Sequence, residues 1–284
     1  MKKTAVIGIC GQSVFLNCDK IPNKGESVIA NSMFIEPGGK GVNAAATIKR
    51  LGGNVSFLVS VADDEYSYKC KDFFKEENLN AKVITKHGKS DFGLIMVDSS
   101  GNNSVSVYMD ENVRLNTKDI MSFENEIKSS DYILLTGELS DELLILMSNM
   151  CSPNNKIIFD PSPTRDYPIE FLKKVWLFTP NETEYENLFR LVKPNNVVIT
   201  LGPNGARLIE NGITTEFAGI KVDVVNTTGA GDVFNGALCY ALEMEYNISD
   251  AVKFAIKAAS YKVSHNYVIE GIPTLKDIET KGGE

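Results

Sequence analysis

The chain has 284 residues, 43% of them hydrophobic, which suits one large domain or one domain with a modest appendage. Its formal net charge is −8 and no Lys/Arg run stands out, so nucleic acid and anionic membranes are disfavoured as partners, and an anionic ligand must be held by a local site. Five scattered cysteines (Cys10, Cys18, Cys70, Cys151, Cys239) without a CxxC pair argue against a disulfide framework or zinc site and fit a reducing, cytoplasmic compartment.

The opening MKKTAVIGIC carries two lysines before an apolar run. The run is short, is interrupted by Gly8 and lacks a small-residue cleavage site, so residues 4–9 read as a first buried strand rather than a signal peptide. No apolar stretch approaches the length of a membrane span. Residues 12–19 and 27–35 read as a ribbon broken by Pro22-Asn23-Lys24-Gly25, a hairpin-like signal. Residues 41–51 are Ala-rich and helical, stopped by Gly52-Gly53. A strand over 55–61 and an amphipathic helix over 66–77 follow. A second strand pair, 92–97 and 103–109, flanks Asp98-Ser99-Ser100-Gly101-Asn102-Asn103.

Thereafter strands at 131–135, 156–160, 175–178 and 197–200 alternate with helices near 117–128, 141–150 and 182–191. This alternation predicts an α/β fold with a parallel sheet covered on both faces. The two early ribbons interrupt the pattern and are expected to pair as a small separate sheet over one edge. The expected division is an α/β domain over 1–10, 36–89 and 114–284, with a β lid over 11–35 and 90–113.

The stretch VVNTTGAGDVF (224–234) joins a strand-like run, 221–225, to a helical pattern, 232–245. Gly229-Ala230-Gly231 is therefore a strand-to-helix turn whose backbone N–H groups, with the helix dipole, form an anion site. Asp232 falls in the first turn of that helix. Beside a transferring phosphoryl group it would accept a proton from an attacking hydroxyl; otherwise it would simply cap the helix. EPGGKGVNAA (36–45) is a second Gly-rich stretch, with Lys40 and Asn43 at a helix start. It is a ligand-contacting hinge or a plain turn with an N-cap. Neither stretch is a Walker loop, and the GxGxxG spacing is absent.

Together PGGKGVNAA and NTTGAGDVF resemble the two signatures of the ribokinase family of sugar and nucleoside kinases. TPNETEYENL (179–188) resembles that family's Asn-x-x-Glu segment and ITLGPNGARL (199–208) its nucleotide-binding strand-turn; DPSPTR (160–165) and GIPTLKDI (271–278) also fit. The matches run in order over nearly the whole chain. The resemblance implies a three-layer α/β/α domain with a mostly parallel central sheet and a small β-sheet lid. It implies ATP-dependent phosphorylation of a primary hydroxyl on a small sugar or nucleoside. Asp232 would be the base, with the amides of Gly229, Ala230 and Gly231 as the anion hole. Asn181 and Glu184 would organise Mg²⁺ and phosphates through water, and Thr200, Gly202, Gly205 and Thr228 would line the nucleotide site. Ser13, Gly39, Lys40, Asn43 and Glu138 would face the acceptor. A homodimer through the lid is expected, since lids pair across a dimer in many members.

Two positions depart from the family pattern. Ser13 stands where ribokinases carry an Asp that grips ribose hydroxyls, with Gln12 and Asn17 as nearby alternatives. Asn226 stands where potassium-activated members have an Asp beside the anion hole; it keeps a carbonyl oxygen and loses a charge, which weakens the expectation of K⁺. An Asn there also occurs in some pseudouridine-kinase-like members. A non-catalytic sensor on the same fold is the reading from a different class, and the intact Asp232 and Gly-Ala-Gly turn argue against it.

Overall fold

The first strand, β1 (Thr4–Ile9), is buried along its whole length and alternates between two cores, with Val6 in one and Ala5 and Ile7 in the other. That is the pattern of a sheet covered on both faces. The computed structural model describes residues 2–188, 190 and 192–280, so the outermost residues of the expected α/β domain, 1 and 281–284, lie outside it. After β1 come β2 (Gly11–Asn17), β3 (Ser32–Gly38), α1 (Lys40–Arg50), β4 (Val55–Ala62), α2 (Tyr66–Glu76), β5 (Asn80–Lys86), β6 (Asp91–Val97) and β7 (Asn103–Tyr108). The chain continues through α3 (Thr117–Met121), α4 (Glu124–Ser129), β8 (Tyr132–Thr136), α5 (Asp141–Met150), β9 (Lys156–Asp160), α6 (Ile169–Leu172), β10 (Val175–Phe178), α7 (Glu182–Leu188) and β11 (Asn196–Thr200). It closes with β12 (Ala206–Glu210), β13 (Ile213–Phe217), α8 (Ala230–Glu243), α9 (Ile248–Val263) and α10 (Leu275–Thr280).

Among the described residues two sheets form. The larger has nine strands in the order β13-β12-β11-β10-β9-β8-β1-β4-β5, parallel from β11 to β5, with β12 and β13 added antiparallel at one edge. One face buries Val6, Phe57, Leu134 and Ile158 against α1, α8 and α9; the other buries Ile7, Ile133 and Phe159 against the helices from α3 to α7. This is the expected three-layer α/β arrangement. The smaller sheet is β3-β2-β6-β7, in which β2 and β6 pair parallel and the outer pairs are antiparallel. Phe15, Ile95 and Val97 on its inner side pack against Val268.

Several details differ from the sequence expectation. Residues 221–225 are not a strand: β13 already ends the sheet, and Val224 and Val225 are exposed. The helix expected over 117–128 is two short helices, α3 and α4, joined at Ser122-Phe123. The helix expected over 182–191 is seen as Glu182–Leu188, and residues 189 and 191 lie outside the described residues. The second arm of the first ribbon lies over Ser32–Gly38 instead of 27–35. No helix of the described residues is long and apolar enough to cross a membrane.

The packing of α1 on α8 sets up the site. A Cβ at Gly236 would lie 2.6 Å from both the Ala44 carbonyl oxygen and Thr47 Cβ, so only glycine permits the crossing. Small residues on both helices therefore bring their N-termini together at the carboxyl edge of the parallel sheet.

Candidate active site

In an open α/β sheet a ligand crevice forms beyond the carboxyl ends of the strands where the strand order reverses. Here the reversal is at β1, flanked by β4 and β8. A cleft of about 260 Å³ opens along that edge, walled by Lys40, Asp160, Asn181, Glu184, Thr200 and the turn Thr227–Asp232.

The turn holds its shape for identifiable reasons. Gly229 is the N-cap of α8 with φ 75, the left-handed region that glycine tolerates without cost. A Cβ there would also lie 2.5 Å from Val268 Cγ1. Ala230 N–H donates to Thr227 O (3.2 Å), and Thr228 N–H donates to Asn226 Oδ1 (2.9 Å). The N–H groups of Gly229 and Gly231 are thus the freer donors of the expected anion hole, and Gly231 is open on its outer side. Thr228 lines the cleft, and its hydroxyl is met by Asn103 Nδ2 of the small sheet (3.2 Å).

Asp232 lies in the first turn of α8 and is buried. Its Oδ2 accepts from Asn43 Nδ2 at 2.7 Å, and its Oδ1 is 3.8 Å from Lys40 Nζ. Asn43 is held by α1, where its N–H donates to Gly39 O (3.0 Å). Burial works to lower the Lys40 pKa, but the surrounding carboxyl groups of Asp232, Asp160, Glu138 and Glu184 outweigh it and keep the ammonium protonated well above its usual range. Glu138 and Asp160 are both pushed up to about 7, chiefly by burial, with Lys40 opposing.

Three buried acceptor atoms around this centre have no hydrogen-bond partner among the described residues: Asn43 Oδ1, Glu138 Oε2 and Asn235 Oδ1. Buried polar atoms are ordinarily satisfied. Several orphaned acceptors in one place suit a ligand rich in hydroxyl donors.

Asn181 and Glu184 cap α7 reciprocally: Asn181 N–H donates to Glu184 Oε2 (2.8 Å), and Glu184 N–H to Asn181 Oδ1 (2.9 Å). The cap fixes the buried Glu184 carboxylate at the cleft wall. Thr200 ends β11 beside it, whereas Gly202 and Gly205 lie on the following turn, outside that wall. Ser13 sits on β2 opposite Glu36 of β3, and Glu138 follows β8; both lie off the cleft's walls, and Glu138 is close enough to act on Lys40.

Sequence reading did not single out Asp160 and Asn235. Asp160 ends β9, and one oxygen accepts from Asn235 Nδ2 (3.2 Å). An acidic residue closing an interior strand of a parallel sheet was the available signal.

Hard oxygen donors at Asp160 and Glu184 fit Mg²⁺. No group of three or more His, Cys, Asp or Glu that could hold a metal ion occurs among the described residues, so a Mg²⁺ ion here would need phosphate and water to complete its shell. A monovalent cation fits poorly at Asn226. Its side-chain oxygen is taken by Thr228 N–H, its amide nitrogen donates to Asn266 O (2.7 Å), and its backbone oxygen accepts from the Lys262 ammonium (2.8 Å).

The model of the pfkB family of carbohydrate kinases matches residues 1–275. The ribokinase of Lactococcus lactis is 29% identical over 99% of this chain and 97% of its own. The ribokinase of Bacillus subtilis is 29% identical over 98% and 99%. The crystal structure of Thermotoga maritima ribokinase superposes with a TM-score of 0.86 at 27% identity, covering 99% of both chains.

Proposed function

Because the chain belongs to the pfkB family of carbohydrate kinases and is an ATP-dependent carbohydrate kinase, we propose that it transfers the γ-phosphoryl group of ATP to a primary hydroxyl of a small sugar, ribose or a close relative, with Asp232 as the base. The observation that carries this reading is the Asp232 carboxylate, oriented by Asn43 and set beside the Gly229–Gly231 turn.

The acceptor hydroxyl lies between Asp232 and the γ-phosphate. Asp232 takes its proton as the oxygen–phosphorus bond forms and the bond to the β-phosphate oxygen breaks, releasing ADP. The freer amides of the turn and the N-terminal end of α8 meet the charge on the phosphoryl oxygens. Lys40 offsets the crowding of carboxylates. Glu138 and Asn43 accept hydrogen bonds from sugar hydroxyls, which supplies the partners their buried oxygens lack. Glu184 and Asp160 would hold Mg²⁺, which when bound neutralises phosphate charge. Thr200 and Thr228 line the nucleotide side, with Gly202 and Gly205 shaping the loop beyond.

The small sheet acts as a lid that excludes water, since ATP hydrolysis is the competing reaction. The lid's exposed Met33, Val105, Val107 and Tyr108 suit pairing with the lid of a second copy. At Ser13 a neutral hydroxyl replaces a carboxylate in gripping the acceptor, which favours a sugar that needs fewer strong acceptors there.

The test is an ATP-consumption assay with Mg²⁺ across ribose, deoxyribose, fructose, fructose phosphates, uridine, pseudouridine and adenosine. Turnover on a free pentose or hexose above all nucleosides supports the reading. Preference for a nucleoside, or ATP binding with no turnover on any acceptor, contradicts it.

A further inference from the structure

Lys262 on α9 is the only fully buried lysine among the described residues, with no accessible surface. Its ammonium donates to the backbone oxygen of Asn226 at 2.8 Å, at the base of the phosphoryl-binding turn. The same residue is fixed from three further sides: Asn226 Oδ1 accepts from Thr228 N–H, Asn226 Nδ2 donates to Asn266 O, and Asn226 N–H donates to Val263 O (3.1 Å). The ammonium therefore sits on the shoulder of the segment that leads into Gly229 and Asp232. A buried ammonium with one carbonyl partner is expensive unless other charge compensates it.

Three carboxyl groups compensate it. Glu36 of β3 and Asp232 of α8 both act on Lys262, as does Glu270 in the loop after α9. Glu36 is itself held by Val268 N–H (2.7 Å) and Ile269 N–H (3.0 Å), so it cannot swing away. A further compensation would be the phosphoryl charge on the turn above. A metal ion on the Asn226 carbonyl would have to share that oxygen with the ammonium bound to it at 2.8 Å, and two cations on one oxygen repel.

We propose that the Lys262 ammonium is a resident cation beneath the phosphoryl-binding turn, doing the electrostatic work that a potassium ion would otherwise do, so that this kinase needs no monovalent metal. The inference rests on the kinase reading above and adds to it a residue that positions the turn. Burial lowers the Lys262 pKa to about 8, with Glu36, Asp232 and Glu270 opposing, so the charge is in place at neutral pH.

The test compares the wild type with Lys262→Ala and Lys262→Met at constant ionic strength in KCl, NH₄Cl, methylammonium chloride and tetramethylammonium chloride. In the wild type, turnover and thermal midpoint are expected to be the same in KCl as in tetramethylammonium chloride, an ion too large for the site. Potassium-specific activation or stabilisation of the wild type would overturn the proposal. Lys262→Ala is expected to lose about tenfold or more in kcat, as when one group stabilising transition-state charge is removed. Ammonium, methylammonium or potassium should then restore part of the rate, and Lys262→Met, whose side chain fills the space, should not be restored. A folded Lys262→Ala protein that no cation rescues would overturn the proposal. If Lys262→Ala does not fold, the wild-type comparison decides alone. The thermal midpoint needs no turnover: silence on every acceptor tells against the kinase reading, and a potassium-specific midpoint shift tells against the resident cation.

Discussion

Asn43 and Asp232 stand 189 positions apart in the chain, and Asn43 Nδ2 donates to Asp232 Oδ2 across 2.7 Å. The contact exists because Gly236 lets α8 press against α1. A hydrogen bond to a charged group contributes about 1.5–3 kcal/mol. Asn43→Ala is therefore expected to lower kcat by roughly 10- to 100-fold through loss of the base's orientation, with the KM for ATP little changed. Steady-state kinetics check this, and an unchanged kcat would separate Asn43 from the base.

Glu138 has a buried oxygen with no partner among the described residues and a carboxyl group pushed up to about 7 by burial. Glu138→Gln keeps the size and removes the charge. Acceptor kcat/KM should fall by about tenfold or more, since a site built to accept a hydroxyl's hydrogen bond discriminates strongly when the pairing is spoiled. Nucleotide affinity, measured by titration calorimetry, should not move. A change in nucleotide affinity with no change in acceptor KM would place Glu138 on the wrong side of the cleft.

Far from the cleft, Glu243 near the end of α8 is buried, accepts from Asn54 N–H (2.8 Å) and has its pKa raised to about 7, chiefly by burial. Between its ordinary value and about 7 the folded state holds a proton that the unfolded state has released. The group's stabilising contribution is thus full at low pH and lost as pH rises through about 7. Glu243→Gln should melt close to the wild type near pH 4.5 and progressively above it by pH 8. Parallel melting curves across that range would contradict the assignment.

Strand β7 at the edge of the small sheet is exposed along its whole length, including Val105 and Val107. If lids pair in a homodimer, Val107→Asp buries a charge in the interface and should shift light scattering from dimer to monomer mass. A wild type that is already monomeric at working concentration contradicts the lid pairing.

The parallel sheet and the Gly-Ala-Gly turn were legible because their signals are local: buried β-branched runs, paired glycines and a helical pattern starting at Asp232. The β12–β13 hairpin carried an equally local signal, Asn211-Gly212 between two alternating runs, which sequence reading passed over; both residues have positive φ, 52 and 82. Residues 221–225 misled in the other direction. Their β-branched alternation suits a strand, but strand formation needs a neighbour, and Val225 N–H instead donates to Val263 O (2.7 Å). Asp160, Asn235 and Lys262 were harder to read. Their burial and partners come from elements distant in the chain: Asp160 carried only its place at the end of a buried strand, at the head of DPSPTR, and the residue types of Asn235 and Lys262 do not mark them as site residues.

The most direct test of the central claim is the single-turnover rate and nucleotide affinity of Asp232→Asn beside the wild type, on the best acceptor. Asparagine keeps the hydrogen-bonding shape and removes the base. The rate is expected to fall by about 10²–10⁴ with nucleotide affinity nearly unchanged, the usual contribution of a positioned base. Near-normal phosphoryl transfer in that variant would contradict the assignment of Asp232 and, with it, the mechanism built around the Asn43 contact.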